Sequence, residues 1–475
     1  MHITHLIEPE LEFGTSNHID MRFGVMNYGP VDMDTDHAPK TIRLGIVGMP
    51  ETVEDFQGWL EHCRGGIEAK TSNKPNLFPR FPGCSLETGF RTEVQSPPTL
   101  ARTFTKEEVL DAASAKSAAV RTIQMVELFV REICYLTQNH RVDVIVCAPS
   151  VQMLRAMDTS ADSGGANPKD RVDFHDCLKA RAMQFKKPLQ LVLPPTYGSG
   201  GADEGIEVLS RRSLQDEATR AWNIHCALYY KARGYPWRLM RRSEDLTVCF
   251  VGISFYEALS RDRLLTSVAQ VFNERGEGVV VRGGDAAISK DDRQPHLSQR
   301  DTETLLTKAL KRYKEAHKTL PARIVIHKTS SFSTGEECGL RDVLRDSRID
   351  CFDLLYLSQA TTRLFRIGKY PPLRGTLVTL SRDRFVLYCR GSIQFFETYP
   401  GQYTPSPLHV HCHASSETHR KLGTELLALT KMNWNNTQFD GLDPITIRAA
   451  RQVGSVLRYC NEDLETIEPW YSYYM

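Results

Sequence analysis

This sequence has no apolar stretch that approaches the roughly 18 residues of a membrane span, so none is expected. It opens with MHITHLIEPELEF, which lacks the basic start and apolar core of a secretory signal. Its twelve cysteines form no CxxC pair, and most lie in apolar runs such as VDVIVCAPS and LTVCFVGI. We therefore expect buried, reduced thiols in a cytoplasmic protein.

The sequence also lacks an excess of either charge. Its 475 residues carry 59 lysines and arginines against 58 aspartates and glutamates, a net charge of +1. Any nucleic-acid site must therefore be a local basic patch on a nearly neutral molecule. Hydrophobic residues make up 41% of the chain, which is enough for real cores. At about 150 residues per domain, the length suggests two or three domains.

Strand and helix patterns alternate from about residue 39. TIRLGIVGM and VDVIVCAPS are typical of buried strands, and Thr105 to Asn139 predicts one long helix with Thr105 as its N-cap. This alternation predicts a parallel, Rossmann-like sheet. However, GIVGMP lacks the second and third glycines of a GxGxxG fingerprint. A dinucleotide site is therefore rejected, and a stand-alone enzyme of Rossmann type is disfavoured.

A second unit begins at about Arg241. DLTVCFVGISFYEA, GEGVVVRGG and ARIVIHKTSSF indicate strands, and DRFVLYCRGSIQFFETYP indicates a hairpin that turns near Gly391. Strands followed by mixed helices fit an RNase H-like sheet. The predicted fold class is α/β, with a Rossmann-like domain over 39–240 and an RNase H-like domain over 241–475. An arm over 1–38 precedes them, and MRFGVMNYGPVD within it predicts a short hairpin.

The segment from Arg211 to Leu239, RRSLQDEATRAWNIHCALYYKARGYPWRL, combines an amphipathic helix with a turn. Lys231 ends the helix, and Gly234 and Pro236 stop it. By composition alone this is a capped surface helix. Its residue string, however, closely resembles the end of the MID domain of prokaryotic Argonaute proteins. In that family the lysine of this phrase holds the 5′-phosphate of a guide strand.

The resemblance implies a phosphate pocket made by His175, Lys179, Gln190 and Lys231. His175 and Lys179 are one helical turn apart and share a face, for which a solvated basic helix is the alternative. HDCLK, PLQLV and YYKARG follow the family's order. Some relatives also hold a divalent ion there, which implies Mg²⁺ bound by the phosphate, Gln190 and the terminal carboxylate of Met475. A frayed tail is the alternative for Met475.

The same resemblance implies that the nuclease centre is missing. Slicing Argonautes hold two metal ions with an acidic tetrad, sometimes including histidine. The matching positions here are Ser254 in VGISFY, Thr329 in IVIHKTS and Arg451 in PITIRAAR, while the glutamate of the mobile loop has no convincing counterpart. Two hydroxyls and a guanidinium cannot bind two Mg²⁺ ions, so we expect no catalytic metal. An active nuclease with a rearranged metal site is the alternative.

Two further basic patterns are weaker signals. Arginines cluster around the pocket phrase, and we interpret them as sequence-independent contacts to the guide backbone, with a solvated charge cluster as the alternative. They include Arg211, Arg212 and Arg238. LHVHCHASS places three imidazoles on one face of a strand, where zinc is conceivable but no acidic or cysteine pair completes a site. A polar strand face or nucleic-acid contact is favoured for His409, His411 and His413.

Over about residues 39–475 the chain resembles short prokaryotic Argonautes, built of MID and an inactive PIWI domain. The resemblance implies that it binds a 5′-phosphorylated small RNA guide and recognises complementary single-stranded DNA without cutting it. It also implies a separate partner, an APAZ segment fused to an NAD-consuming effector, with Sir2 favoured over TIR. The two proteins would form a heterodimer able to assemble further when target binding activates it. The outcome would be NAD depletion in defence against plasmids or phage.

Overall fold

A computed structural model of the chain describes residues 2–158, 171–198, 214–241, 245–259, 263–271, 278–365, 371–401, 404–439, 441–460, 468 and 470–475. These residues form an α/β structure with two main sheets. None of the helices in these ranges is long and apolar enough to cross a membrane. All twelve cysteines are free thiols, and seven of them are buried.

Twelve α-helices lie in the described ranges. Many begin at a side chain that accepts hydrogen bonds from the first turn, and Thr105 and Ser333 form full capping boxes with Glu108 and Glu336. In chain order the helices are α1 (Met21–Tyr28), α2 (Pro50–Arg64), α3 (Lys106–Ala113), α4 (Ala118–Asn139), α5 (Val151–Met157), α6 (Phe174–Ala182), α7 (Pro194–Tyr197), α8 (Glu217–Lys231), α9 (Gln299–His317), α10 (Thr334–Asp346), α11 (His419–Leu429) and α12 (Ile445–Leu457).

Eighteen strands lie in the same ranges. Before residue 240 the strands are short, except for Thr41–Gly48 with eight residues. In the second half the strands reach eleven residues. In chain order they are β1 (His2–His5), β2 (Leu11–Glu12), β3 (Asn17–His18), β4 (Thr41–Gly48), β5 (Glu93–Gln95), β6 (Ala101–Thr103), β7 (Val144–Ala148), β8 (Leu189–Leu191), β9 (Arg238–Leu239), β10 (Val248–Glu257), β11 (Leu264–Val271), β12 (Gly278–Ile288), β13 (Pro295–Leu297), β14 (Arg323–Lys328), β15 (Cys351–Gln359), β16 (Thr376–Thr379), β17 (Arg384–Leu387) and β18 (Leu408–Ala414).

The smaller sheet has the order β5-β4-β7-β8, with β6 beside β4, and every pairing is parallel. Its central strands are buried on both faces because helices cover each side. On one face Ile145 and Cys147 pack with Phe129 and Ile133 of α4. This arrangement confirms the predicted Rossmann-like sheet.

The larger sheet has ten strands in the order β1-β16-β17-β18-β15-β14-β10-β11-β12-β13. Its centre, β10-β14-β15, is parallel, and antiparallel strands extend it on both sides. Residues of α9 and α10, including Leu305 and Leu340, share a core with Ile324 of β14. On β10, a Cβ at Gly252 would lie 2.1 Å from the Thr446 carbonyl oxygen, so glycine permits the close approach of α12. This half has the predicted RNase H-like architecture.

The N-terminal residues pair with strands from both halves of the chain. β1 pairs with β16 at the edge of the large sheet, and β2 pairs with β9. Asp32 is buried and accepts hydrogen bonds from the Tyr229 hydroxyl at 2.6 Å and the Tyr235 amide at 2.7 Å. The predicted hairpin in MRFGVMNYGPVD is wrong, because Asp20 caps the helix α1 there. The proposed boundaries at 38/39 and 240/241 stay predictions.

Two local predictions also need correction. Thr105 does cap a helix, but the predicted helix to Asn139 is divided into α3 and α4, with Ser117 as a second N-cap. No hairpin turns at Gly391, because β17 pairs with β16 and β18, and residues 394–396 form a short 3₁₀ helix. In both places local patterning was overridden by pairing or capping contacts.

Candidate functional site

Helix α8 is clamped between the two halves of the molecule. Its N-terminus is capped by the Asp216 side chain, which accepts from the Thr219 amide. The Tyr230 ring lies 4.7 Å, centroid to centroid, from Trp434, and the Cys226 thiol donates to the Trp434 carbonyl. Almost every residue of the helix is buried, so it is no surface helix. Packing on all sides carries its last residue into the interior.

The ammonium group of Lys231 ends α8 inside the protein. Its side chain is 2% exposed, and Nζ donates to Gln190 Oε1 at 2.9 Å and to Asn435 Oδ1 at 3.3 Å. Both acceptors are neutral amides. Burial lowers the pKa of Lys231 from 10.5 to about 7, with the Cys226 thiol opposing that shift.

A second ammonium group, that of Lys179 on α6, lies near the first. Lys179 is 3% exposed, and its Nζ has no hydrogen-bond partner in the described part of the chain. Burial and then the charge of Lys231 lower the pKa of Lys179 well below its ordinary value, opposed by Asp176 and Asp173. Two buried ammonium groups, one of them without a hydrogen-bond acceptor, suit a bound anion.

His175 lies one turn before Lys179 on α6. Its Nδ1 is 2.8 Å from Asp176 Oδ1, and about a third of the side chain is exposed. Burial and the Lys179 charge lower the pKa of His175. A neutral imidazole that donates from Nδ1 to Asp176 leaves Nε2 as an acceptor, so donation to a phosphate requires a proton. His175, Asp173 and Asp176 are the only trio in the described ranges with metal-ligand atoms within 4.8 Å of one another.

The end of the chain is buried and packs against the turn between α6 and β8. The Tyr473 hydroxyl donates to the Lys186 carbonyl at 2.8 Å, and Met475 is 5% exposed. The end is thus tucked in, as expected, and not frayed. An amide oxygen, a carboxylate and phosphate oxygens are hard donors that suit Mg²⁺. Gln190 Oε1 already accepts from Lys231, however, so Mg²⁺ and that ammonium group compete for one oxygen.

A cavity of about 580 Å³ lies next to Lys231, and we name it the basic cavity. Of the four predicted phosphate-binding residues, only Lys231 lines it. The cavity is bounded by the turns before β4, β7 and β8, the end of α8, the start of β12 and the tail. The lining residues used below are Asp36, Arg141, Asp143, Lys186, Lys187, Arg233, Trp470 and Tyr473.

Two of the positions matched to the nuclease tetrad lie side by side on or directly after the central strands, and the third is on a helix. Thr329 follows β14, and its amide donates to the Ile253 carbonyl at 3.2 Å, which places Thr329 beside Ser254. Ser254 is buried on β10. Arg451 is on α12, where it forms an ion pair with Asp443. None of the three predicted side chains offers a carboxylate.

A buried cation adjoins Thr329. The Lys328 ammonium lies 2.7 Å from the Glu336 carboxylate and donates to the Ser331 carbonyl at 2.6 Å. His296 contacts Glu336 at 3.1 Å and Asp292 at 2.9 Å. Both of these carboxylates, Glu336 and Asp292, are therefore already paired.

Three of the other predicted basic residues contact separate carboxylates. Arg238 pairs with Glu12 through Nε at 2.9 Å, and Arg211 and Arg212 lie outside the described residues. On β18, the imidazoles contact two separate carboxylates and do not share one site: His411 lies 3.0 Å from Asp383 and His413 lies 2.9 Å from Glu337.

Asn435 was not among the residues that the sequence predicts for this site. This residue stands in the segment MNWNN, 204 positions after Lys231, and its amide oxygen accepts from the Lys231 ammonium. The same segment supplies Trp434 against α8, and the Trp237 indole donates to the Lys431 carbonyl at 3.0 Å. The only available signal was an asparagine-rich turn after an apolar helix, which by itself indicates a loop.

Comparisons with known proteins place this geometry in context. No protein-family model matches the sequence, and no curated protein sequence matches it. Solved structures do match. Clostridium butyricum Argonaute, bound to a guide DNA and a 19-mer target DNA, has a TM-score of 0.65 at 12% identity, covering 97% of this chain and 53% of that one.

Two further structures agree. Drosophila Piwi has a TM-score of 0.59 at 14% identity, covering 99% of this chain and 56% of that one. Marinitoga piezophila Argonaute, in complex with a 5′-OH guide RNA, has a TM-score of 0.58 at 11% identity, covering 100% of this chain and 59% of that one. The chain spans just over half the length of these proteins. It therefore has an Argonaute-like fold, in which a Rossmann-like MID architecture is joined to an RNase H-like PIWI architecture.

Proposed function

We propose that this chain binds a 5′-phosphorylated small RNA guide and uses it to recognise complementary single-stranded DNA. One observation carries the proposal: the buried Lys179 ammonium has no hydrogen-bond partner in the described ranges and lies close enough to Lys231 for their charges to interact. A buried ammonium without an acceptor is costly, and a terminal phosphate supplies several acceptors and two negative charges. His175 and Gln190 complete the set of donors.

The neighbouring structures support a nucleic-acid ligand. The Clostridium butyricum protein holds a guide DNA with its target, and the Marinitoga piezophila protein holds a guide RNA with a 5′-hydroxyl end. The fold therefore accommodates guides of both sugars. A preference for a 5′-phosphate must come from the pocket of this chain, and it has to be measured separately from guide binding.

The test compares short single-stranded RNAs of one sequence with a 5′-phosphate or a 5′-hydroxyl. Each charge-assisted contact contributes about 1.5–3 kcal/mol, so Lys179→Ala with Lys231→Ala should raise Kd for the phosphorylated guide at least about tenfold. Affinity for the hydroxyl guide should change little. The control is Lys311→Ala with Lys314→Ala, on an exposed face of α9. Equal affinity of the wild-type protein for the two guides contradicts the proposal.

We propose further that the chain does not cleave its target. Ser254 and Thr329, which the resemblance matches to two acidic ligands, stand side by side, and the adjacent Lys328 is a buried cation paired with Glu336. Incubation of guide, target and Mg²⁺ or Mn²⁺ with purified protein should leave both strands intact. Guide-dependent cleavage at one defined bond that persists after repurification would instead establish an active nuclease with a rearranged metal site.

A chain that binds without cutting needs a partner for its output. We propose the APAZ-linked, NAD-consuming effector as that partner, Sir2 before TIR, since the resemblance to short Argonautes implies it. Pairing of guide and target can switch the partner only if the two states of the complex bind the target differently. NAD⁺ loss should therefore require chain, partner, guide and complementary target together. NAD⁺ loss that is equal without target contradicts the sensor role.

The resemblance also implies Mg²⁺ at the guide phosphate, held by Gln190 and the Met475 carboxylate. Bound there, the ion would neutralise phosphate charge. The chain's own contribution is to hold the Gln190 amide oxygen through the Lys231 ammonium and to bury Met475. Removal of Mg²⁺ by a chelator should weaken binding of the phosphorylated guide and spare the hydroxyl guide.

A further inference from the structure

The basic cavity is large enough for a ligand of its own. Its volume of about 580 Å³ lies within the range of small-molecule sites, roughly 300–1,000 Å³. His175, Lys179 and Gln190 do not line it, so it is not the space into which the guide phosphate is proposed to bind. Its floor is made by the turns that precede β7 and β8, and one wall is the end of α8.

Four cationic side chains surround the cavity besides Lys231. In the described ranges, none of these four side chains forms an ion pair or a hydrogen bond with another group, and Arg141, Lys186 and Arg233 are exposed. Lys187 is half-buried. On a chain whose net charge is +1, this cluster is a local excess of positive charge.

Two carboxylates also line the cavity. Asp143 accepts a hydrogen bond from the Arg43 amide at 2.8 Å, so one of its oxygens is used within the sheet. Asp36 is exposed on the opposite turn. The positive groups therefore outnumber the negative ones, and one of the two carboxylates has a structural partner.

Two of the cationic residues have a left-handed backbone conformation. Lys186 has φ of 53° and Arg233 has φ of 73°, and both follow the end of a helix. Glycine adopts this left-handed conformation at less cost, so long basic residues are unexpected at both turns. Backbone strain of this kind clusters at binding sites, where surrounding structure enforces it.

An aromatic side chain stands at the rim. Trp470 is 41% exposed, and three residues later the Tyr473 hydroxyl binds the Lys186 carbonyl and holds the tail against the cationic turn. An exposed indole beside a cationic cluster is suited to stack on a nucleobase.

We propose that the basic cavity binds a nucleotide, with its phosphates held by Arg141, Lys186, Lys187 and Arg233 and its base against Trp470. The nucleotide is either free or part of a single-stranded nucleic acid, since both offer the same chemistry. This site is additional to the proposed guide site and does not depend on it. Because Lys231 borders both, occupancy of one site changes the electrostatic environment of the other.

The experiment titrates the full chain with ATP, with pyrophosphate and with a short 5′-hydroxyl single-stranded DNA, followed by calorimetry. Lys186→Glu with Lys187→Glu should weaken binding of the true ligand at least tenfold. Lys311→Glu with Lys314→Glu, the same charge change on the exposed face of α9, should not. Trp470→Leu should weaken binding of ATP or DNA and leave pyrophosphate unaffected. Melting temperatures confirm that each variant is folded.

ATP could also enter the guide site through its own 5′-phosphates, and Lys179→Ala separates the two sites. Binding that survives Lys179→Ala and is lost in the Lys186–Lys187 variant supports nucleotide binding in the basic cavity. The probe that shows this pattern tells whether the ligand is a free nucleotide or a single strand. Binding that Lys179→Ala abolishes, or no saturable binding of any probe, overturns the proposal. If the Lys186–Lys187 variant still prefers the 5′-phosphorylated guide over the 5′-hydroxyl guide as strongly as the wild-type protein does, the guide site functions independently of the cavity.

Discussion

Guide binding by this chain should be coupled to proton uptake. In the free protein Lys231 has a pKa of about 7, and the pKa of Lys179 is lowered well below its ordinary value, because both ammonium groups are buried. A phosphate dianion placed between them favours the charged forms and raises both pKa values. The perturbation is therefore a change of pH across the range in which the free lysines lose their protons and the bound ones keep them.

The magnitude follows from the Lys231 value. Below pH 7 this lysine is charged in both states and contributes no pH dependence. Above pH 7 the free form loses its proton, so each bound guide takes up about one proton and Kd rises about tenfold per pH unit. From pH 7 to pH 9 the loss is about 50-fold, or about 2.3 kcal/mol. Proton uptake by Lys179 makes the slope steeper, towards two protons.

The assay measures Kd for the 5′-phosphate and 5′-hydroxyl guides at matched ionic strength from pH 6.5 to 9. The phosphate itself stays mostly dianionic there, since its second pKa is about 6. Lys231→Arg is the matched variant, because a guanidinium keeps its charge throughout. It should reduce the slope by about one proton. Calorimetry in two buffers of different ionisation enthalpy counts the protons directly.

Two results would contradict proton uptake by the pocket lysines. If Kd for the phosphorylated guide is constant between pH 7 and 9, the lysines do not change protonation on binding. If the hydroxyl guide shows the same slope, the dependence belongs to backbone contacts and not to the end of the guide.

Two further predictions concern stability. Lys179→Met should raise the free energy of unfolding of the guide-free protein by about 1–3 kcal/mol, because it removes a buried ammonium that has no hydrogen-bond partner among the described residues; an unchanged or lower melting temperature would contradict this. Asp32→Ala should lower the free energy of unfolding by about 2–4 kcal/mol, because it leaves the Tyr229 hydroxyl and the Tyr235 amide without their acceptor. Asp34→Ala, in the same segment but exposed, should have little effect in the same denaturant titration.

Local sequence was sufficient for most individual elements. Strands β4, β7, β10, β14 and β18 stand where runs of apolar or alternating residues predict them, because a buried strand needs little more than such a run. Helix α8 ends at Lys231 as predicted, since the following glycine and proline residues cannot extend it. Local patterns gave wrong predictions where pairing or capping contacts set the secondary structure, as at Gly391 and in the segment that forms α1.

Pairing across the sheet could not be deduced from the chain alone. Nothing in HITH at the N-terminus indicates that β1 joins the far edge of the second half's sheet, beside β16. Likewise Asp32 is an ordinary loop residue by sequence, and its value lies in contacts with residues some 200 positions away. Such contacts depend on the sum of packing energies over both halves, and no short motif encodes them.

For the candidate site, the residue types and their order could be read along the chain: an imidazole and an amine one turn apart, an amide on the next strand and a lysine at a helix end. The burial of Lys179 and Lys231 together, with Asn435 as an added acceptor, follows from the fold and from no local motif. The physical reason is that a lysine's chemistry depends on its solvation. Burial lowers the pKa of both lysines and makes an anion their natural partner, and solvation is a property of the whole fold.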